Sequence, residues 1–124
     1  MTTKMSTALI VDDVQTDLMI LTSYLEHLGW RVIAAMNGEE ALTYLSSNKP
    51  DIVFLDVVLP GRSGFEICRA IKSQTDTQQI PVVMCSTKNT DMDRFCGLKQ
   101  GADLYLTKPV NQQDFTTAIQ KLVS

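Results

Sequence analysis

The chain has 124 residues, 44% of them apolar, with 14 acidic against 11 basic side chains and a net charge of −3. That length fits one domain with a single core, and that charge offers little attraction to nucleic acid phosphates. No apolar run approaches the roughly 18 residues of a membrane span, and the opening MTTKMSTALIVDD has too short an apolar stretch for a signal peptide. A cytoplasmic protein is expected, with no membrane insertion and no direct nucleic-acid binding.

Residues 1–6 read as a short flexible segment. Ala8 to Val11 is a buried-type strand. Val14, Leu18, Leu21, Leu25 and Leu28 then recur at spacings of four, three, four and three, the stripe of a helix that Gly29 ends. His27 falls in the last turn, where a cationic residue suits the helix dipole. Arg31 to Ala35 is a second strand, and Asn37-Gly38 a turn before a helix from Glu39 to Ser47. Ile52 to Leu55 is the third strand, followed by the loop LPGRSG and a helix from Phe65 to Ser73. The fourth strand runs from Val82 to Cys85, and a short helix spans about Met92 to Lys99. Asp103 to Leu106 is the fifth strand, and Phe115, Ala118, Ile119 and Leu122 mark the last helix.

Continuous apolar strands alternating with helices imply an α/β fold, a parallel sheet covered on both faces. In such sheets ligands sit beyond the carboxyl ends of the strands. The residues found there are Asp12 and Asp13 after strand one, Asp56 after strand three, Ser86 and Thr87 after strand four, and Thr107, Lys108 and Pro109 after strand five. Singly each has a bland explanation. Asp12 or Asp13 could be a helix N-cap, Ser86 a turn residue, and Lys108 a solvated charge. Asp56 resists this, because no good helix starts directly after it and an unpaired buried carboxylate costs several kcal/mol or more.

Taken together, three carboxylates near one point stay ionised only with a cation present. Mg²⁺, a hard ion that takes oxygen ligands, suits them, and Mn²⁺ is a substitute. Lys108 adds a fixed positive charge and Ser86 a hydroxyl. That set serves phosphoryl transfer, in which a carboxylate can act as nucleophile and form an aspartyl phosphate. The cysteines Cys68, Cys85 and Cys96 form no CxxC or metal-finger pattern and read as core residues of a reducing compartment.

LIVDD (9–13), IVFLDVVLPGRSGFE (52–66), IPVVMCST (80–87) and GADLYLTKP (101–109), in this order and at these separations, resemble the receiver domain of two-component response regulators, and stand-alone regulators of the CheY type in particular. The resemblance covers essentially the whole chain. It implies a doubly wound five-stranded sheet of order 2-1-3-4-5 with five helices, the flavodoxin-like arrangement, and no output domain. It implies Asp56 as the phospho-acceptor. It implies Asp12, Asp13, Asp56 and the backbone carbonyl of Val58 as ligands of Mg²⁺, and Ser86 and Tyr105 as the switch pair. Lys108 is the lysine that stabilises the phosphoryl group, and Pro109 follows a bond that is commonly cis. The phosphoryl source is a histidine kinase, CheA-like for chemotaxis-type regulators. On this reading Asp56 takes the group, Ser86 moves toward it, and Tyr105 turns inward.

The stretch TKNTDMDRFCGLKQGADLYLTKPV also looks like the PilH-like regulators of type IV pilus and phototaxis systems. The downstream target would then be a protein, with a motility component as one candidate. An alternative role is a phosphate sink for a shared kinase. Beside the site, an apolar Val58 cannot orient an attacking water, Thr87 narrows access, and Lys88 either pairs over the site or is solvated. A long-lived aspartyl phosphate is expected. A haloacid-dehalogenase-type phosphatase needs an acid two residues past Asp56, where Val58 stands. A flavin carrier needs a phosphate loop after strand one, where VDDVQTD would repel a phosphate.

Overall fold

The computed structural model describes residues 5–123. In chain order the elements are β1 (Thr7–Val11), α1 (Gln15–His27), β2 (Arg31–Ala35), α2 (Gly38–Leu45), β3 (Ile52–Leu55), α3 (Gly64–Ser73), β4 (Val82–Ser86), α4 (Asp91–Lys99), β5 (Leu104–Thr107) and α5 (Gln112–Leu122). The strands form one parallel sheet in the order β2-β1-β3-β4-β5. This is the expected doubly wound fold.

Alternation along the strands divides the core into two layers. Leu9, Val11, Val53, Leu55 and Met84 point to one face, where they pack with Ile67, Ile71 and Tyr105 under α2 and α3. Ile10, Ile52, Phe54 and Val83 point to the other and meet Leu21 and Leu25 of α1 and Phe115 and Ile119 of α5. Phe54 stacks on Phe115 with ring centroids 4.5 Å apart. Each such fully buried side chain contributes about 1.5–3 kcal/mol. β3 and β4 are buried along their whole length, whereas the edge strands β2 and β5 are partly exposed. That is why the sequence around Asp56 is so apolar: β3 is the central strand, covered on both faces.

Polar caps set the helix starts. The side chains of Asn37, Ser63, Thr90 and Asn111 each accept a backbone N–H three residues on. The α1 stripe is narrower than its periodicity suggests. Leu18, Leu21 and Leu25 are buried, but Val14 and Leu28 are the exposed flanking residues of the helix. α2 ends at Leu45 rather than Ser47, because the Ser46 hydroxyl and the Asn48 amide bond to the Thr43 and Tyr44 carbonyls and close the last turn. β4 and β5 end one residue later than expected, since Ser86 and Thr107 are register partners inside the sheet. Of the expected flexible segment, residues 1–4 lie outside the described residues, while the Ser6 carbonyl accepts from the Arg31 amide at 2.8 Å.

Candidate functional site

Register brings the site together. Val11 is the partner of Leu55, so β1 and β3 end level and Asp12 and Asp56 follow on adjacent strands. Both carboxylates are held in the same way. One oxygen accepts the backbone N–H two residues on, Val14 to Asp12 Oδ1 at 2.9 Å and Val58 to Asp56 Oδ1 at 3.2 Å. The other oxygen of each accepts from Lys108 Nζ, at 2.7 Å for Asp12 and 2.9 Å for Asp56. Asp12 and Asp56 are buried, at 2% and 6% exposure. The loop after β3 folds back so closely that a Cβ on Gly64 would stand 1.9 Å from the Asp56 carbonyl oxygen. Only glycine fits there, and the Gly64 amide donates to the Val57 carbonyl at 2.8 Å.

Lys108 comes from the loop after β5, with its amide on the Ser86 carbonyl at 2.9 Å. The Lys108–Pro109 bond is cis. The third acceptor on Nζ is Asp17 of α1, at 2.8 Å. Sequence reasoning passed over Asp17, since an acid in a first helical turn is ordinarily a dipole partner. The signal available was that Val14, the N-cap, has no capping side chain, which leaves Asp17 without a local partner.

Burial pushes the Asp12 carboxyl above the ordinary value, and the bonds from Lys108 and Val14 offset part of that rise. Burial also works against the charge of Lys108, but the bonds to Asp12, Asp17 and Asp56 outweigh it and hold the ammonium above the ordinary lysine range. One lysine thus faces Asp12, Asp17 and Asp56, with the exposed Asp13 beside them. The negative charge is in surplus.

Asp12, Asp13 and Asp56 can each bring a carboxylate oxygen within 4.8 Å of the others. An all-oxygen, surplus-negative set of this kind fits a hard divalent ion such as Mg²⁺. Asp12, Asp13, Asp56 and Lys108 therefore converge as the sequence predicts. Ser86 is fully buried at the end of β4, and its Oγ accepts the Lys88 amide at 3.2 Å. Tyr105 already stands inward, with a hydroxyl that donates to the Lys88 carbonyl and a ring that rests against Gly97. Val58, Thr87 and Lys88 are exposed at the rim, and Lys88 forms no ion pair among the described residues. No helix is long and apolar enough to cross a membrane among the described residues.

Comparison with known proteins agrees with this geometry. Residues 8–120 match the model of the response regulator receiver domain family. Protein PilH of Pseudomonas aeruginosa is 38% identical over 120 residues, covering 97% of this chain and 99% of that one. The chemotaxis response regulator CheY4 of Vibrio cholerae superposes with a TM-score of 0.89 at 28% identity, covering 97% of this chain and all of that one. The phosphorylated cyanobacterial phytochrome response regulator RcpA does so with a TM-score of 0.86 at 27% identity, covering 98% and 96%. A level pair of strand-end aspartates, a lysine that reaches both, and a match over nearly the full length leave one conclusion: the chain belongs to the response regulator receiver domain family.

Proposed function

We propose that this receiver takes a phosphoryl group from a histidine kinase onto Asp56 and signals through a protein-binding surface that the transfer switches. The observation that carries this reading is the position of Asp56, a buried carboxylate at the end of the central strand with one oxygen on Lys108 and Asp12 and Asp13 beside it. An Asp56 oxygen attacks phosphorus in line. The new O–P bond forms as the P–N bond to the kinase histidine breaks, and its electron pair leaves with the imidazole nitrogen. The phosphoryl oxygens then take the donors of Lys108 and Ser86.

Asp12, Asp13, Asp56 and the Val58 carbonyl would hold Mg²⁺, which supplies charge neutralisation at the phosphoryl oxygens when bound. Lys108 contributes charge from the other side. Phosphoryl transfer of this type depends on positioning and electrostatics more than on covalent chemistry by the protein. Asp56 is followed by the buried Val57 and the exposed Val58, so the acid that a phosphatase of the haloacid-dehalogenase type needs is missing.

The switch runs through Ser86 and Tyr105. A shift of Ser86 toward the phosphoryl group alters the space that Tyr105 fills below it. Because Tyr105 already stands inward, the group biases a population rather than creating a new state. The readout surface is α4 and β5, where Met92, Phe95 and Leu98 lie exposed. The resemblance of residues 87–110 to PilH-like regulators favours a CheA-like kinase and a protein target, with a motility component as one candidate.

Replacing Asp56 with Asn abolishes acid-labile phosphate incorporation from a small acyl phosphate. Label retained elsewhere on the chain refutes the assignment. Val58, Thr87 and Lys88 set how long the phosphoryl group survives, since water must pass this rim. Val58→Asn places a polar group there and speeds decay of the phosphorylated form, and a slower decay overturns the role given to Val58.

A further inference from the structure

Lys108 donates three hydrogen bonds, and its three acceptors differ in kind. Asp12 and Asp56 belong to the carboxylate cluster that suits a divalent ion, and Asp17 does not. A cation held by the cluster competes with Lys108 for the oxygens of Asp12 and Asp56. Asp17 is the acceptor that such competition leaves untouched. It reaches Lys108 from α1, across a cleft the pair shares with Ile20, Pro109 and Val110. We propose that Asp17 is the positioning residue of Lys108: it anchors the ammonium from the helix side, so that Lys108 stays poised over Asp56 when Asp12 and Asp56 turn to the metal and the phosphoryl group.

The chain's economy supports this. Asp17 lies in the first turn of a helix whose N-cap has no side-chain bond, so a local cap would have been its ordinary use. Its carboxylate is spent instead on a residue 91 positions away. The side chain is 31% exposed against 7% for Lys108, so it acts from the solvent side of the buried ammonium. A carboxylate in that place restricts Nζ to the line between α1 and the strand ends. Without it, Lys108 can turn fully onto Asp12 and Asp56 and oppose the cation.

The inference rests on the reading of Asp56 as phospho-acceptor, and the test separates the two. Mg²⁺ binding is measured by titration calorimetry without phosphodonor, in about 0.3 M potassium chloride, which screens the more distant exposed charges. Asp17→Asn is expected to weaken Mg²⁺ binding several-fold. In a Lys108→Ala background the same substitution leaves the dissociation constant unchanged. At saturating Mg²⁺, phosphorylation by a small acyl phosphate slows by about tenfold in Asp17→Asn, the size of one lost charge-assisted hydrogen bond, and Asp17→Glu recovers part of the rate. Equal weakening in both backgrounds makes Asp17 a mere source of negative field, and no change in either makes it a surface ion pair. Either result overturns the proposal. If Asp56→Asn still takes label, the acceptor reading fails instead, and the calorimetry alone decides the role of Asp17.

Discussion

Two lysines sit at opposite edges of the sheet, and their surroundings differ in one respect. At the amino edge, Lys72 of α3 donates to the Ile80 carbonyl at 2.7 Å, the Gln78 carbonyl at 3.3 Å and Asp103 at 3.0 Å. Asp103 in turn accepts the Val82 amide at 2.8 Å. One cation meets one carboxylate, and the remaining bonds go to backbone. At the carboxyl edge, Lys108 meets Asp12, Asp17 and Asp56, with Asp13 beside them. The first cluster is balanced within the chain and ties α3 to the starts of β4 and β5. The second is unbalanced and is completed only by something positive from outside. A lysine–aspartate pair is therefore uninformative by itself, and the charge left over is what marks the functional edge.

The largest effect that sharpens this contrast is the loss of each lysine. Lys108→Met leaves buried Asp12 and Asp56 without their counter-charge, which should lower the stability of metal-free protein by about 3 kcal/mol or more. Lys72→Met removes one charge-assisted bond and two carbonyl contacts, at about 2 kcal/mol. Urea unfolding in chelator and in saturating Mg²⁺ separates them. The Lys108→Met deficit should shrink with Mg²⁺, because the ion supplies the missing charge, whereas the Lys72→Met deficit should not move. Equal responses to Mg²⁺ would break the comparison.

Smaller, and opposite in sign, are the effects of neutralising one carboxylate at each edge. Asp13→Asn relieves repulsion in a surplus-negative cluster and should raise metal-free stability by up to about 1 kcal/mol. It should also reduce the stabilisation by Mg²⁺, which for wild type is about 2 kcal/mol at thirty times the dissociation constant. Asp103→Asn removes the carboxylate from a balanced pair and should lower stability by about 1 kcal/mol. Thermal unfolding of the two variants with and without Mg²⁺ decides it. A stabilised Asp103→Asn would mean that the amino edge also carries surplus charge.

The carboxyl edge was legible in the sequence because continuous apolar runs locate strand ends, and Asp12, Asp13, Asp56 and Lys108 all lie there. What was not legible depends on direction in space. Asp17 is one helical turn from the strand end, and only the approach of α1 to the β5–α5 loop brings it to Lys108. Lys72 meets the Ile80 carbonyl and Asp103 only because α3 docks beside β4, and nothing next to it in the chain announces those partners. The inward placement of Tyr105 depends on Gly97, where a Cβ would come within 3.0 Å of its ring, and no local pattern connects those two residues. The ends of β4 and β5 moved by one residue because pairing between Ser86 and Thr107 extends the ladder past the last apolar side chain.

The smallest effect concerns two acids near the same edge that share an ordinary value and shift in opposite directions. Burial raises Asp12 above 3.8, whereas the hydroxyl and backbone N–H of Thr90 hold Asp93, the acid of the α4 capping box, below it. A raised carboxyl binds protons more tightly when folded. The Asp12 contribution is therefore favourable below its unfolded value and is lost as pH rises through its folded value. A lowered carboxyl behaves in reverse. The Asp93 contribution is present above about pH 4, the unfolded value, and is lost as pH falls through the folded one. Thr90→Ala should return Asp93 toward its ordinary value and reduce stability near neutral pH by about 1 kcal/mol or less. The Asp12 window above pH 3.8 should stay in place. Carboxyl-detected NMR titration of both residues in wild type and Thr90→Ala checks this, and an Asp12 titration that moves with the cap would show that α4 and the acidic cluster are coupled rather than independent.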